Sequence, residues 1–357
     1  MSPKQHPKPM VLITGAAGLI GSRLIDALAP RYDLVAFDIV TPERASPADW
    51  IKCDLTKDEA VGDALGTLRE RHGDSLASVI HLAAYYDFSG EPSPLYRDLT
   101  VEGTRRLLQG LQAFKVEQFV FSSSLLVMQS VEPGDVLTEN SPTRAEWEYP
   151  QSKLDTEQVI AEQHGAIPAL ILRIAGVYDN DCHSIPIAQQ IKRIYEKQMD
   201  SIFFPGNADC GQSFVHLDDV VDCTIRAVDR RGDLPALETL LIGESDTMSY
   251  GELQEQIGEV LHDQAWPAIR VPKVAAKAGA WTQEKVLGEE ETFIKPWMVD
   301  MADAHRPVDP SRAKERLGWE PRHRLRHTLN TILDRLKEDP ERWYQINKLP
   351  MPAELKS

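Results

Sequence analysis

Met10-Val11-Leu12-Ile13-Thr14-Gly15-Ala16-Ala17-Gly18-Leu19-Ile20-Gly21 is the stretch from which the rest of the chain is read. An apolar run of strand type enters three glycines spaced G-x-x-G-x-x-G, and an amphipathic pattern (Ile20, Leu24, Ile25, Leu28) follows at once. A strand, a tight turn and a helix start make a place for an anion, because the turn needs backbone freedom and the first helical N–H groups face outward. Alone, the same residues also describe an ordinary strand-to-helix turn.

Two acids bear on that choice. Leu34-Val35-Ala36-Phe37-Asp38 is a second apolar strand ending in a carboxylate. Its place, roughly 20 residues past the glycines, suits an acceptor for a ribose hydroxyl. Ile51-Lys52-Cys53-Asp54-Leu55 ends a third strand in the same way. Asp54 also reads as the N-cap of a helix over 57–71.

The 357 residues allow one large α/β domain with a smaller second lobe. A net charge of −16, with no basic block, argues against nucleic-acid binding. The four cysteines, Cys53, Cys182, Cys210 and Cys223, have no paired or zinc spacing and read as reduced cytosolic thiols. No run approaches the ~20 apolar residues of a membrane span. Residues 1–9 read as a flexible leader without a signal core.

Strand and helix patterns alternate from residue 10 to about residue 175. Strands are expected at 78–84, 118–124 and 169–174, and helices at 57–72, 94–114 and 150–164, with Pro150 tolerated in a first turn. Continuous apolar strands separated by helices predict a doubly wound parallel sheet of Rossmann type. The nucleotide-binding core is placed at 10–178. A smaller substrate lobe is placed at 179–340, with segments around 202–230 returning to the sheet, and a loosely held tail at 341–357.

Tyr149-Pro150-Gln151-Ser152-Lys153 carries the chemistry. Residues four apart share a helix face, so the phenol and the ammonium stand side by side. A nearby positive charge favours the phenolate and equips the tyrosine as an acid/base. The alternative is a surface pair at a helix start. Ser122-Ser123-Ser124 ends a strand and either points hydroxyls into the crevice or forms a turn.

The order of these pieces resembles the extended short-chain dehydrogenases/reductases of the NAD-dependent epimerase/dehydratase type. His81-Leu82-Ala83-Ala84, Leu172-Arg173-Ile174-Ala175-Gly176-Val177-Tyr178, Phe214-Val215-His216-Leu217-Asp218-Asp219-Val220 and Arg312-Ala313-Lys314-Glu315-Arg316-Leu317-Gly318-Trp319 extend the resemblance over residues 10 to about 336. It implies an enzyme that transfers hydride at a secondary alcohol or ketone carbon. Gly15, Gly18, Leu19, Ile20 and Gly21 would hold the pyrophosphate, Asp38 the adenosine ribose, and Asp54 and Leu55 the adenine. Leu82, Ala83 and Ala84 would line the dinucleotide path, Ser122 would lie beside the nicotinamide, and Ala175 and Val177 would meet its carboxamide. Tyr149 would be the acid/base, Lys153 would bind the nicotinamide ribose and tune Tyr149, and Ser124 would hold the substrate oxygen. Asp38 favours NAD over NADP because it would repel a 2′-phosphate, an argument that Arg44 weakens. A small-molecule substrate and a possible homodimer through the helices at 94–114 and 150–164 are also implied. A non-catalytic NAD-binding regulator is the alternative of another class.

The departures concern the substrate. Members acting on nucleotide sugars usually carry Asn where Gly176 stands and Arg where Gln212 stands; Asp179-Asn180 replaces a Gly-Pro, and Thr100 an Asn. Arg270 and Arg306 are possible substitutes for the missing cation. A UDP-sugar 4-epimerase therefore remains the alternative to a dehydrogenase. Leu125 and Leu126 after Ser124 disfavour dehydration. Tyr85, Tyr86, Phe88, Trp147, Glu148, Gly176, His183 and Ile185 are candidates around the substrate. Asp181-Cys182-His183 is not expected to bind a metal, because adjacent residues rarely converge on one ion.

Overall fold

The computed structural model describes residues 8–42, 45–87, 90–277 and 296–352. Arg44, Phe88, residues 1–7 of the leader and residues 353–357 of the tail lie outside the described residues.

Seven strands form one sheet: β1 (Met10–Thr14), β2 (Asp33–Asp38), β3 (Ala48–Lys52), β4 (Ser78–His81), β5 (Phe119–Ser124), β6 (Ala169–Ile174) and β7 (Leu237–Ile242). Their order is β7-β6-β5-β4-β1-β2-β3, and every neighbouring pair is parallel. Side chains alternate between two buried faces. Leu12, Val35, Val79 and Phe119 join one core with Leu65, Leu107, Leu111 and Ile160 of α2 (Asp58–His72), α3 (Glu102–Leu111) and α4 (Glu148–Gln163). Val11, Ile13, Leu34 and Ile80 join the opposite one with Leu24 and Leu28 of α1 (Leu19–Leu28) and Val228 of α6 (Leu217–Asp229). Burial on both faces is why these strands read as unbroken apolar runs.

The strand order reverses between β1 and β4, and their ends exit together. Thr14 pairs with His81, and the Leu82 N–H donates to the Thr14 carbonyl at 3.2 Å. Such a switch point leaves a crevice at the carboxyl ends of the strands.

Some expectations are corrected. The third strand ends at Lys52, and the helix after it starts at Asp58 behind Lys57, so Asp54 is not its N-cap. Asp54 instead accepts the Thr56 N–H (3.0 Å) and hydroxyl (2.6 Å), closing a turn one step earlier. The strand at 78–84 stops at His81, and the helix at 94–114 opens as a π-helical turn, Tyr96–Val101, before α3. Around 202–230 only α6 returns to the sheet. Phe203–Pro205 pairs with Ile269–Val271, and Phe214–His216 with Gly176–Tyr178, each as a separate two-stranded ribbon.

The second lobe packs α5 (Ile185–Tyr195), α7 (Tyr250–His262) and α9 (Leu325–Glu338) around Ile187, Ile191, Ile257, Leu329 and Leu333; a short α8 (Ser311–Leu317) sits with the sheet's core instead. Ser249 starts α7 with a reciprocal cap, accepting the Glu252 N–H at 3.1 Å while its own N–H donates to the Glu252 carboxylate at 2.8 Å. The expected loose tail is in part an ordered helix, α10 (Pro340–Ile346). Trp343 and Tyr344 are buried in the lobe's core, because a short proline-started helix can still deliver two large rings.

Candidate active site

A cavity of about 730 Å³ opens along the carboxyl ends of the strands, between sheet and second lobe. Gly15, Gly18, Leu19, Ile20, Gly21, Leu82, Ala84, Ser122, Ser124, Tyr149, Lys153, Ala175, Gly176, Val177 and His183 all line it. Asp38, Asp54, Leu55, Ala83 and Tyr85 do not.

The glycine turn is built for close approach. Gly15 has φ +66°, and a Cβ there would meet the backbone nitrogen of Ala83 at 2.7 Å. A Cβ on Gly21 would meet the Gly15 carbonyl at 2.6 Å. These two glycines let α1 and the exit of β4 press onto the turn. Gly18 is the extended N-cap of α1 and offers no side-chain cap, so the first N–H groups of the helix open toward the cavity. Asp38 ends β2 beside this turn. Its carboxylate accepts the Ala17 N–H at 2.9 Å and the Val40 N–H at 3.1 Å. An anion cradle with a carboxylate next to it fits an adenosine diphosphate without a 2′-phosphate. Ala83 packs beneath Gly15 instead of facing the cavity, and Leu55 is buried in the core.

Beneath the turn, His81 is fully buried. It is hydrogen-bonded to the hydroxyls of Thr14 (2.7 Å) and Thr104 (2.8 Å), and burial pushes it down to about 3, so the ring is neutral. Thr100 has a structural job: its hydroxyl accepts the Tyr85 N–H at 3.0 Å. Tyr85 thereby turns inward onto Tyr96, with ring centroids 4.8 Å apart, and Tyr86 takes the cavity wall, edge-on to Tyr149 at 4.9 Å.

The α4 face is laced to the end of β5. Ser124 shares a hydrogen bond with Tyr149, and its oxygen accepts the Leu126 N–H at 3.2 Å. Lys153 donates to the Ser122 carbonyl at 2.7 Å. One turn on, Glu157 accepts the Ser123 hydroxyl at 2.5 Å and forms a buried two-point pair with Arg173, at 3.1 and 2.7 Å. Burial dominates the electrostatics of this face. It pushes Lys153 down to about 7, with Glu157 opposing, and pushes Tyr149 up to about 12, with Ser124 opposing. The ammonium sits 5.9 Å from the Tyr149 ring centre, and in this state it does not bring the phenol toward neutrality.

Residues 11–243 match the NAD-dependent epimerase/dehydratase family. The chain belongs to that family. It is an NAD-dependent oxidoreductase of the extended short-chain type. Among curated proteins it is similar to a sterol-4-alpha-carboxylate 3-dehydrogenase (decarboxylating) of Candida albicans, 24% identical over 92% of this chain and 98% of that one. It is also similar to human short-chain dehydrogenase/reductase family 42E member 1, at 26% over 90% and 86%. A putative UDP-glucose 4-epimerase of Methanocaldococcus jannaschii is 26% identical over 81% and 98%. Among solved structures, the UDP-glucose 4-epimerase of Thermus thermophilus in complex with NAD shares the fold, with TM-score 0.67 and 20% identity over 92% of this chain and 99% of that one.

Most of the cavity wall on the lobe side carries no sequence motif. Gln190, Arg193, Phe204, Tyr250, Gln254 and Met301 line the cavity from the second lobe. Arg306 does so too, whereas Arg270 is exposed and outside the lining. Among the described residues, one cluster has metal-ligand types, His216, Asp218 and His323. Its two imidazoles stack at 3.9 Å and 19°, so their in-plane lone pairs run parallel instead of meeting at an ion. His216 also caps α6 by accepting the Asp218 N–H at 3.1 Å.

Proposed function

We propose that the enzyme interconverts a secondary alcohol and its ketone on a bulky, mainly apolar substrate, with Tyr149, Ser124 and Lys153 as its catalytic groups. NAD supplies the hydride acceptor, or donor in reverse, and a positive ring when oxidised. The glycine turn with Leu19 and Ile20 holds its pyrophosphate and Asp38 its adenosine ribose. Leu82, Ala84 and Ser122 follow the dinucleotide, with Ala83 supporting the turn from behind and the Ala175 and Val177 backbone at the carboxamide. Tyr149 exchanges a proton with the substrate oxygen that Ser124 orients. Raised by burial, the phenol is ready to donate in the reducing direction; oxidation needs a positive charge beside it. Lys153 keeps the ribose end of the site and is held to β5 through Ser122.

The observation that supports an apolar substrate is the state of the cavity's cations. Arg306 is paired with Glu146 at 3.2 Å. Arg193 is paired with Asp200 at 3.8 Å and donates to its carbonyl at 2.7 Å. A nucleotide diphosphate would meet Arg306 and Arg193 with Glu146 and Asp200 already beside them, whereas Leu125, Leu126, Trp147, Phe204 and Met301 offer carbon. The curated sterol dehydrogenase fits this reading; the UDP-glucose epimerases do not. We place the protein in the cytosol, its four buried thiols reduced. A homodimer would use the outer faces of α3 and α4, whose exposed side chains include Gln109, Gln151, Asp155 and Gln158.

The test is a purified protein whose bound dinucleotide is identified, followed by NADH readout with a panel of cyclic secondary alcohols and with UDP-glucose. Exchangeable NAD and NADH formation from ring alcohols are expected. Tightly retained NAD with conversion of UDP-glucose to its 4-epimer would replace this reading with an epimerase.

A further inference from the structure

We propose that His183, oriented by Asp179, is a second polar contact in the substrate chamber, where its Nε2 holds a hydroxyl of the substrate other than the one that is oxidised. The proposal rests on the apolar-alcohol reading above.

The loop that carries His183 is fixed at several points. The Asp179 N–H donates to the Cys182 carbonyl at 3.1 Å, and the Cys182 N–H returns to the Asp179 carbonyl at 3.0 Å, closing a tight turn. Cys182 (φ +85°) and His183 (φ +45°) both take left-handed backbone conformations that side chains avoid. Two successive residues stay there only because the surroundings determine them. Cys182 is fully buried as the plug of the turn. Asn347, just past α10, accepts the His183 N–H and donates to the Asp181 carbonyl, both at 2.9 Å. Arg335 of α9 holds the Asp181 carboxylate at 2.7 Å. The C-terminal helices thus brace a strained turn whose product is one imidazole at the cavity wall.

That imidazole has one possible arrangement of protons when neutral. Nδ1 lies 2.9 and 2.8 Å from the two oxygens of the buried Asp179 carboxylate, which can only accept. Nδ1 therefore carries the hydrogen, and Nε2 presents a lone pair. Nε2 has no hydrogen-bond partner among the described residues, and the partly exposed side chain belongs to the cavity lining. A lone pair on a wall of leucine, phenylalanine and methionine is matched by an O–H donor. A second anion is disfavoured, because the Nε2 lone pair and the Asp179 carboxylate behind the ring would both repel it.

The probes are cyclohexanol, decalin-2-ol and 5α-androstan-3β-ol, each compared with counterparts that carry a second, remote hydroxyl. NADH formation gives kcat and KM for wild type, His183→Leu and His183→Gln, with NAD affinity and Tm measured to confirm folding. At least one diol is expected to exceed its mono-ol about 10-fold or more in kcat/KM, the gain lying in KM. In His183→Leu that ratio is expected to fall to within about threefold of one, and the amide oxygen of His183→Gln to recover part of it. An unchanged ratio in His183→Leu, or no diol preferred by wild type, overturns the proposal alone. No NADH from any ring alcohol, with turnover of UDP-glucose, overturns the apolar reading and this proposal with it.

Discussion

The two sides of the cavity are built on different principles. On the sheet side, residues 10–178, the site is made of strand ends and of the α4 side chains laced to them: Gly15 pressed on Ala83, Lys153 on the Ser122 carbonyl, Tyr149 against Ser124. On the lobe side the wall is gathered from separate pieces, including His183, Arg193, Phe204, Tyr250 and Arg306, each contributing one or two side chains. A cradle made of N–H groups admits few residue types, whereas a wall made of side-chain packing admits many. The fold can therefore keep one cofactor while its substrate changes.

The largest effect expected from breaking the sheet side is at Tyr149. Tyr149→Phe removes the proton carrier but keeps the ring against Tyr86 and Trp147. Turnover should fall about 10²- to 10⁴-fold with NAD affinity nearly unchanged, as read by NADH production and by calorimetric titration of NAD. Full turnover would remove Tyr149 from the mechanism.

Gly15→Ala attacks the cradle instead of the chemistry. Its methyl meets backbone, not a side chain that can swing away, and φ is left-handed there. A stability loss of about 1–3 kcal/mol and weaker NAD binding are expected together. Gly176→Ala is the matching change where the sheet side meets the lobe, and there the new methyl meets the ring of the lobe's Phe214 at 2.7 Å. It should alter KM for the alcohol more than it weakens NAD binding. Equal effects of the two on NAD would erase the distinction between the sides.

This difference also explains what was legible. The strand β6 runs over the residues its apolar run indicates, because burial on both faces leaves little freedom. Tyr85 and Tyr86 were indistinguishable in sequence; which ring reaches the cavity is decided by the Thr100 hydroxyl holding the Tyr85 N–H. The helix at 340–346 was hidden by its prolines and its place at the end of the chain, although Trp343 and Tyr344 were the signal that it packs. His183 stood out only as a residue type. Its orientation depends on a turn with two left-handed residues and on Asn347, 164 positions away.

The smallest effect belongs to the lobe's interior, and it asks whether that side is held by packing alone. Glu244, next to β7, is buried; it accepts the Tyr178 hydroxyl at 2.7 Å and the Leu325 N–H at 2.8 Å. Burial raises its carboxyl to about 7, from an ordinary 4.5. The folded state thus binds this proton more tightly than the unfolded chain. The associated stability is fully present below about pH 4.5 and is lost as pH rises through about 7. Glu244→Gln keeps an acceptor for Leu325 and places an amide toward Tyr178 without a charge. Relative to wild type its Tm should rise with pH between 5 and 8, by on the order of a few degrees, and level off above. A Tm difference that is flat with pH would mean that Glu244 is already ionised in the fold, and that its two donors, not its proton, are what hold the lobe to the sheet.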